Sequence, residues 1–153
     1  MIGHYDIRLA CARDVRRIAL MSKNLIEAGL GWSWTEHRVL ASLKDRATNV
    51  AVAFDGDRLI GFCIAKFRVD EGHILLLAVD EAHRRRGLGT ALVHWMEKTA
   101  LVAGIGIIYL EARLNNAGAR KFYETLGYRE FKLEPGRYRG IETGVRLGKD
   151  LWA

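Results

Sequence analysis

The segment VDEAHRRRGLGTALV, residues 79–93, indicates a strand end, a short glycine-rich turn and the start of an amphipathic helix. Gly87 and Gly89 have no side chains, so the backbone N–H groups of Arg85 through Thr90 are free to converge on an anion. The N-terminus of the following helix adds partial positive charge there. The spacing Arg-x-x-Gly-x-Gly differs from both the Gly-Lys-Ser/Thr phosphate loop and the Gly-x-Gly-x-x-Gly of dinucleotide folds. The segment therefore predicts a site for a phosphorylated ligand of another class, although the arginine run alone equally fits a solvated turn.

Strand and helix patterns alternate on either side of this turn. The apolar run HILLLAV, which ends at Val79, predicts a central strand buried on both faces. The Asp-Gly turn at Asp55–Asp57 predicts an antiparallel hairpin before it, and Asp14 is a candidate cap for the first helix. We therefore expect an α/β (α+β) fold, with a mixed, mostly antiparallel central sheet and helices on both faces. The other predicted strands are Tyr5–Leu9, one from Asn49, 58–67, Ile105–Ala112, GYREFKL and ETGVRLGKDL, the last two joined by the loop EPGRYRG; the predicted helices follow Asp14 and Thr35 and cover Gly87–Ala103 and Ala117–Leu126.

Length and composition predict one globular domain over residues 1–153, since half of the 153 residues are hydrophobic and 27% are charged. The longest apolar run, Ile74–Val79, is too short to span a membrane, and the first ten residues lack a signal-peptide pattern. We therefore expect a cytoplasmic protein without a membrane partner. The two cysteines, Cys11 and Cys63, are expected to be buried reduced thiols.

The net charge of +6 favours a polyanionic partner, which leaves both nucleic acid and a phosphorylated cofactor open. The five histidines show no metal-ligand spacing, so no metal is expected.

A second segment, LEARLNNAGARKFYETLGYRE at residues 110–130, follows the glycine-rich turn in the order found in one enzyme family. Together the two segments resemble the GNAT superfamily of acetyl-CoA-dependent N-acetyltransferases, and the GRYRGIE ending is similar to the branch that acetylates protein N-termini. Gly118, Arg120 and Tyr128 depart from the usual family residues. None of the three removes a chemical group that the reaction needs.

The resemblance implies acetyl-CoA as cosubstrate. Its pantetheine arm would lie between splayed strands along Leu77–Val79, and its phosphates would rest on the amides of Arg84–Thr90. Asn116 would hydrogen-bond the arm or cap the following helix, and an asparagine suits both tasks. The implied cofactor-binding residues are Leu77, Ala78, Val79, Arg84, Arg85, Arg86, Gly87, Leu88, Gly89, Thr90, Asn116 and Tyr123.

The resemblance also implies an acid and a base. Tyr123 is in register with the tyrosine that protonates the leaving thiolate, the alternative being a core side chain beside Phe122. The base is Glu111 or His73, or the proton leaves through a water relay, and of the two residues we prefer Glu111. The pKa of Glu111 is expected to be raised within an apolar strand, whereas a histidine is already suited to the task. The alternatives are an ion pair of Glu111 with Arg113 and an ordinary strand-edge role for His73.

The acceptor is expected to be a primary amine. Neutralising an α-amine at pH 7 costs about 1.4 kcal/mol, against about 4.6 kcal/mol for a lysine. A protein or peptide N-terminus is therefore favoured, although small amines of similar basicity fit too. By resemblance the acceptor groove is formed by loops carrying Trp32, Trp34 and Tyr138, and the alternative for the tryptophans is packing in the core. We expect a monomer or homodimer that does not bind nucleic acid. The alternative functions are a polyamine, aminoglycoside or amino-acid acetyltransferase and a non-catalytic basic module that binds CoA or nucleic acid.

Overall fold

The structure is a computed structural model that describes residues 5–27 and 33–153. All its strands belong to one sheet in the order β1-β2-β3-β4-β5-β7-β6, in which neighbours are antiparallel except for the parallel pair β4 and β5. The mixed, mostly antiparallel sheet is confirmed. The elements in chain order are β1 (Asp6–Leu9), α1 (Val15–Leu25), α2 (Glu36–Lys44), β2 (Thr48–Asp55), β3 (Arg58–Phe67), β4 (Gly72–Val79), α3 (Leu88–Val102), β5 (Ile107–Arg113), α4 (Ala117–Thr125), β6 (Arg129–Tyr138) and β7 (Glu142–Asp150), with 3-10 turns at Ala12–Asp14 and Glu81–His83.

Helices cover both faces of the sheet, as predicted. In β2, Val50 and Val52 pack in one core with α1 and α2, while Ala51 and Ala53 pack in the other core with α3 and α4. Small side chains on the α3 side let that helix approach closely: a Cβ at Gly61 would lie 3.1 Å from a methyl carbon of Leu88 in α3. Successive side chains of a strand point to opposite faces, so β2 and β3 are buried on both.

β4 occupies the middle of the sheet, but the prediction that it is buried on both faces is wrong. Its residues alternate between buried and partly exposed from Gly72 to Val79. A bulge at Leu75 interrupts its pairing with β3, because Ile64 pairs with Leu76 and the next residue of β3 pairs with Ile74. Pairing with β5 covers only residues 72–74. The apolar run therefore belongs to a strand that leaves a large part of one edge open.

The N-terminal turn differs from the prediction in two ways. Asp14 occupies the N-cap position of α1 without a side-chain cap hydrogen bond; its carboxylate instead accepts hydrogen bonds from the Cys11 N–H and from Arg8 Nη1, both at 2.9 Å. Cys63 in β3 is buried, but Cys11 is exposed. A position just before the 3-10 turn at Ala12–Asp14 leaves the Cys11 side chain at the surface, so the expectation of two buried thiols fails there.

The segment predicted as the loop EPGRYRG is mostly strand. β6 continues through Pro135 to Tyr138, and its pairing with β7 skips from Glu134 to Tyr138. β6 is an edge strand of the sheet, where a residue without an N–H is tolerated, and the irregular pairing removes the need for one. The hairpin formed by β6 and β7 thus extends well beyond the predicted strand end.

The longest described helix, α3, has 15 residues, and none of the helices in ranges 5–27 and 33–153 combines the length and apolarity needed to cross a membrane.

Candidate active site

The first feature of the site is an opening between β4 and β5. β4 pairs with β3 as far as Val79, whereas its pairing with β5 ends at Ile74 and Leu110. In the described part of the chain no other strand pairs with this edge of residues 75–79. The splay implied by the resemblance is therefore present, and it leaves backbone N–H and C=O groups available to an extended ligand.

The second feature is the N-terminus of α3, which follows β4 after a short turn. Its N-cap residue, Gly87, has φ 85° and gives no side-chain cap. The N–H groups of Leu88, Gly89 and Thr90 therefore have no partner among the described residues. Arg85, just before it, also has a positive φ of 62°. These amides follow the open edge of β4, and free N–H groups at a helix N-terminus are a type of site suited to an anion.

The side chains of this turn divide into two groups. Arg84, Arg85 and Arg86 are exposed, with Arg84 Nε donating to the Val79 carbonyl at 3.3 Å. Leu88 is fully buried in the core, so only its N–H can reach a ligand. A Cβ at Gly89 would lie 3.2 Å from the Phe122 ring, which shows that this glycine is needed for packing against α4 as well as for the turn.

Together these two features fit coenzyme A. The open edge of β4 can pair with the two amides of a pantetheine arm, and the free N–H groups at the start of α3 can bind a pyrophosphate with the exposed arginines nearby. Both sets of groups lie at the carboxyl end of β4.

The third feature is a side-chain pair beside the opening. His73 Nε2 lies 2.9 Å from Glu111 Oε1 and 2.8 Å from Oε2. His73 pairs in register with Tyr109, two residues before Glu111, so the two side chains share one face of the sheet. Glu111 and His73 are the competing candidates for the base in the sequence analysis, and the structure brings them into contact. The ion pair of Glu111 is formed with Arg137 at 2.9 Å rather than with Arg113.

The expectation of a raised pKa for Glu111 is wrong. Burial alone raises its pKa, but hydrogen bonds and charge interactions with His73 and Arg137 outweigh burial and lower the pKa below its usual value. Glu111 is therefore held ionised. An ionised carboxylate can only accept, so His73 Nε2 carries the proton of their hydrogen bond, and a neutral His73 keeps a lone pair on Nδ1.

Tyr123 lies on the opposite face of the sheet from Glu111. Its ring packs in the core formed with α3 and α4, 5.1 Å from Phe122 and 5.9 Å from Tyr128 between ring centroids. Burial, followed by the influence of the Cys63 thiol and the Tyr138 phenol, raises its pKa well above the ordinary value. The hydroxyl has no hydrogen-bond partner in the ranges that the structure describes. It is a protonated donor that is not used within the fold.

The remaining predicted residues have mixed outcomes. Asn116 caps α4, accepting a hydrogen bond from the Ala119 N–H at 3.1 Å. Tyr138 is half-buried at the end of β6, where burial, and next the Glu111 carboxylate, raise its pKa to about 12. Trp34 is only 7% exposed and packs in the core with α1 and α2, so its ring does not form an open wall. Trp32 lies outside the described residues.

Three residues of this region were not singled out from the sequence as parts of the site. Glu27 is buried at the end of α1 and accepts hydrogen bonds from the Ser33 hydroxyl and from the N–H groups of Ser33 and Trp34, which fixes the entry to α2. Arg113 Nη2 donates to the Ile26 carbonyl at 2.6 Å and ties β5 to the same region. Arg137 holds Glu111. The Arg113 and Arg137 contacts join residues 87 and 26 positions apart, so no local pattern could have revealed them, whereas Glu27 lies only six residues before Ser33.

Clusters of three or more histidine, cysteine or acidic side chains able to hold a metal ion do not occur within residues 5–27 and 33–153.

Comparison with known proteins places this geometry in a family. The model of the acetyltransferase (GNAT) family matches residues 13–128. An uncharacterised N-acetyltransferase of Methanocaldococcus jannaschii is 37% identical over 93 residues, which is 60% of this chain and 60% of that protein. The chain thus matches less than two thirds of the length of that relative. The ribosomal protein bS18-alanine N-acetyltransferase of Salmonella typhimurium is 31% identical over 105 residues, 69% of this chain and 70% of that one.

A solved structure supports the fold over nearly the full length. The ribosomal-protein-S18-alanine N-acetyltransferase of Escherichia coli superposes with a TM-score of 0.84 at 21% identity, covering 97% of this chain and 94% of that chain.

Proposed function

The chain belongs to the GNAT family of acetyltransferases and is an N-acetyltransferase, and we propose that its acceptor is the α-amine of a protein or peptide N-terminus. Acetyl-CoA supplies the activated acetyl thioester. The open edge of β4 at residues 75–79 would hold the pantetheine arm, and the free N–H groups of Leu88, Gly89 and Thr90 would hold the pyrophosphate.

The observation that carries the proposal is the Glu111–His73 pair. An amine attacks only after it has lost its ammonium proton. The lowered pKa of Glu111 makes this carboxylate a weak base on its own. The ammonium proton of the acceptor would therefore go to the lone pair of His73 Nδ1, and Glu111, bonded to His73 Nε2, would stabilise the resulting imidazolium. A weak base suits an acceptor that costs about 1.4 kcal/mol to neutralise better than one that costs about 4.6 kcal/mol. This favours an α-amine over a lysine or an alkyl polyamine.

Tyr123 would act on the other side of the opening. Its raised pKa keeps the O–H protonated at neutral pH, so the proton is available to the leaving thiolate. The thiolate is the weaker base, with a pKa of about 8.5 for an ordinary thiol, so this transfer is uphill and depends on tight positioning of the two groups. The proposed acid and base come from opposite faces of the sheet, and an acyl group held in the opening between β4 and β5 would lie between those two faces.

The shape of the acceptor side supports a peptide. The end of α1 and the β6–β7 hairpin flank the Glu111–His73 pair, and Arg113 connects them through the Ile26 carbonyl and through Glu142 at 3.6 Å. Tyr138 adds an aromatic wall on the hairpin side. The relative from Salmonella typhimurium carries the name of an enzyme that acts on the alanine of a ribosomal protein, which agrees with an N-terminal acceptor here.

The test is a set of initial rates with acetyl-CoA and three acceptor classes. The first is a peptide with a free N-terminal alanine, the second is the same peptide with a blocked N-terminus and one free lysine, and the third contains spermidine and an aminoglycoside. We expect turnover with the first class and a rate lower by at least tenfold with the other two. Turnover of the third class without turnover of the first would contradict the proposal and assign a small-molecule acceptor.

A further inference from the structure

Glu111 is bonded from two sides by elements that lie far apart in the chain. Its Oε1 lies 2.9 Å from His73 Nε2 in β4 and 2.9 Å from Arg137 Nη2 at the end of β6. The carboxylate is almost fully buried, with 8% of its side chain exposed, whereas the Arg137 side chain is 44% exposed. The guanidinium therefore approaches the base pair from the solvent side, and it comes from the hairpin that borders the proposed acceptor groove.

The reach of Arg137 depends on a missing side chain in the intervening strand. β7 lies between β5 and β6, so an Arg137 side chain that contacts β5 has to cross it. It crosses at Gly144, where a Cβ would lie 3.0 Å from both Cβ and Cγ of Arg137 and 3.1 Å from Tyr138 Cε2. Glu134 pairs with Gly144 and Tyr138 with Glu142, so β6 has more residues than β7 in this interval. Arg137 belongs to this irregular part of β6, next to Gly144. The contact is thus built by the backbone of two strands.

Several other charged or titratable groups face Glu111, but their contacts are with other partners. Arg146 pairs with Glu111 in the β5–β7 register, yet its guanidinium lies over the Tyr109 ring at 4.9 Å. Arg113 forms its ion pair with Glu142. The groups around Glu111 are His73 from β4, Tyr109 and Arg113 from β5, Glu134, Arg137 and Tyr138 from β6, and Glu142 and Arg146 from β7. In this part of the structure, Arg137 is the guanidinium that bonds to the Glu111 carboxylate.

We infer that Arg137 is a positioning residue that fixes the Glu111 carboxylate in its ionised form against His73 and so couples the acceptor hairpin to proton removal. The inference rests on the proposed function, because it concerns the same base pair. Two fixed donors leave the carboxylate one orientation, in which His73 donates from Nε2 and keeps its Nδ1 lone pair. Without Arg137 the buried carboxylate keeps its hydrogen bond with His73 but loses the second of the two groups that oppose burial, so its pKa should rise.

The test compares Arg137→Gln with two further variants. Arg137→Lys keeps the positive charge, and Gly144→Ala keeps Arg137 but places a methyl group in its path. Arg139→Gln is the matched control, because it removes the same charge from the exposed tip of the same hairpin and no contact between Arg139 and Glu111 occurs among the described residues. For each protein we would measure kcat/KM from pH 5.5 to pH 8.5 and the titration of glutamate 13Cδ signals by NMR.

For Arg137→Gln we expect the ratio of its kcat/KM to that of the unchanged protein to be highest at pH 8.5 and to fall toward pH 5.5, because Glu111 becomes protonated at a higher pH in the variant. Each unit by which its pKa rises limits this fall to about tenfold, a limit reached only below both pKa values. The NMR midpoint of Glu111 should rise, and the KM for acetyl-CoA should stay within about twofold, a few tenths of a kcal/mol. Gly144→Ala should change the profile in the same direction. Arg137→Lys should recover most of the original profile, and Arg139→Gln should leave it unchanged.

Loss of kcat/KM that is equal at every pH, with an unmoved Glu111 midpoint, would overturn the inference and leave Arg137 as a structural residue. The two proposals fail separately. If the unchanged protein acetylates none of the amines but the Glu111 midpoint still rises in Arg137→Gln, the proposed function is wrong and the coupling of Arg137 to Glu111 stands.

Discussion

Two buried tyrosines next to each other offer a test that separates catalysis from stability. Tyr123 and Tyr128 have ring centroids 5.9 Å apart, and both are under 9% exposed. The Tyr123 hydroxyl has no partner in the described ranges, whereas the Tyr128 hydroxyl donates to Glu97 Oε2 at 2.9 Å. Lys149 Nζ binds the same carboxylate at 3.1 Å. A change of either tyrosine to phenylalanine keeps the ring and removes only the hydroxyl.

The two changes should have opposite effects. Tyr123→Phe removes the proposed proton donor to the thiolate, so kcat should fall by about 10²-fold or more, while the free energy of unfolding changes little because no hydrogen bond is lost. Tyr128→Phe removes a buried hydrogen bond to a charged group, worth about 2 kcal/mol. In a chain of this length, that loss lowers Tm by about 4–8 °C. Its kcat should remain near that of the unchanged protein.

The assay is a steady-state acetylation series at 25 °C together with thermal unfolding and calorimetric titration with acetyl-CoA. We expect the Kd for acetyl-CoA to be unchanged in Tyr123→Phe, because its hydroxyl is assigned a task only after the acetyl group has moved. An unchanged kcat in Tyr123→Phe would refute the role of this residue as the acid. A fall in its Tm as large as that of Tyr128→Phe would show that the hydroxyl serves the fold instead.

Three further predictions concern the cradle, a helix cap and a buried acid. Gly87→Ala forces a Cβ into a left-handed backbone with φ 85° and should weaken acetyl-CoA binding in calorimetry while costing about 1–2 kcal/mol of stability; unaltered affinity would argue against the cradle. Asn116→Ala should cost about 1 kcal/mol through the lost cap, and Asn116→Ser should restore most of it; a stability equal to that of the unchanged protein would remove the cap from the account. Burial raises the pKa of Asp14, but its hydrogen bonds with Arg8 and Cys11 outweigh burial and hold that pKa below its ordinary value. The ionised carboxylate therefore stabilises the fold above about pH 4, and this stabilisation is lost as the pH falls through the folded pKa. Asp14→Asn should therefore unfold more readily than the unchanged protein at pH 7 in urea, with a gap that narrows toward pH 3; a gap independent of pH would contradict this.

Local patterns in the sequence were sufficient for most of the framework. Periodicity located the strands and helices to within a few residues, and the Asp-Gly turn and Thr35 marked the β2–β3 hairpin and the start of α2, where Thr35 Oγ1 accepts from the Arg38 N–H. These features depend on neighbours in the chain. The position of the glycine-rich turn after β4 was equally readable, although its spacing alone also fits a solvated turn and the segment at residues 110–130 was needed to favour a cofactor site.

Features that depend on distant partners could not be predicted in this way. The pKa of Glu111 was expected to rise because the flanking apolar residues are visible in the sequence, but Arg137, which helps to lower it, comes from 26 residues further on and from the far side of β7. The expectation that Trp34 forms a wall of the groove fails because its ring packs in the core with α1 and α2, and Glu27, a buried carboxylate, binds its N–H. The neighbours of Trp34 in the sequence do not show which helices cover the ring. The early end of the β4–β5 pairing is likewise a property of the assembled sheet.

The central claim, that the open edge of β4 and the start of α3 hold acetyl-CoA, is tested most directly by amide hydrogen exchange with and without this ligand. In the free protein the N–H groups of residues 75–79 that face away from β3, and those of Leu88, Gly89 and Thr90, have no partner in the described structure and should exchange quickly. We expect acetyl-CoA to slow exchange at both places while the amides of α1 and β7 stay as they are. Slowed exchange confined to other segments, or none at saturating ligand, would contradict the claim.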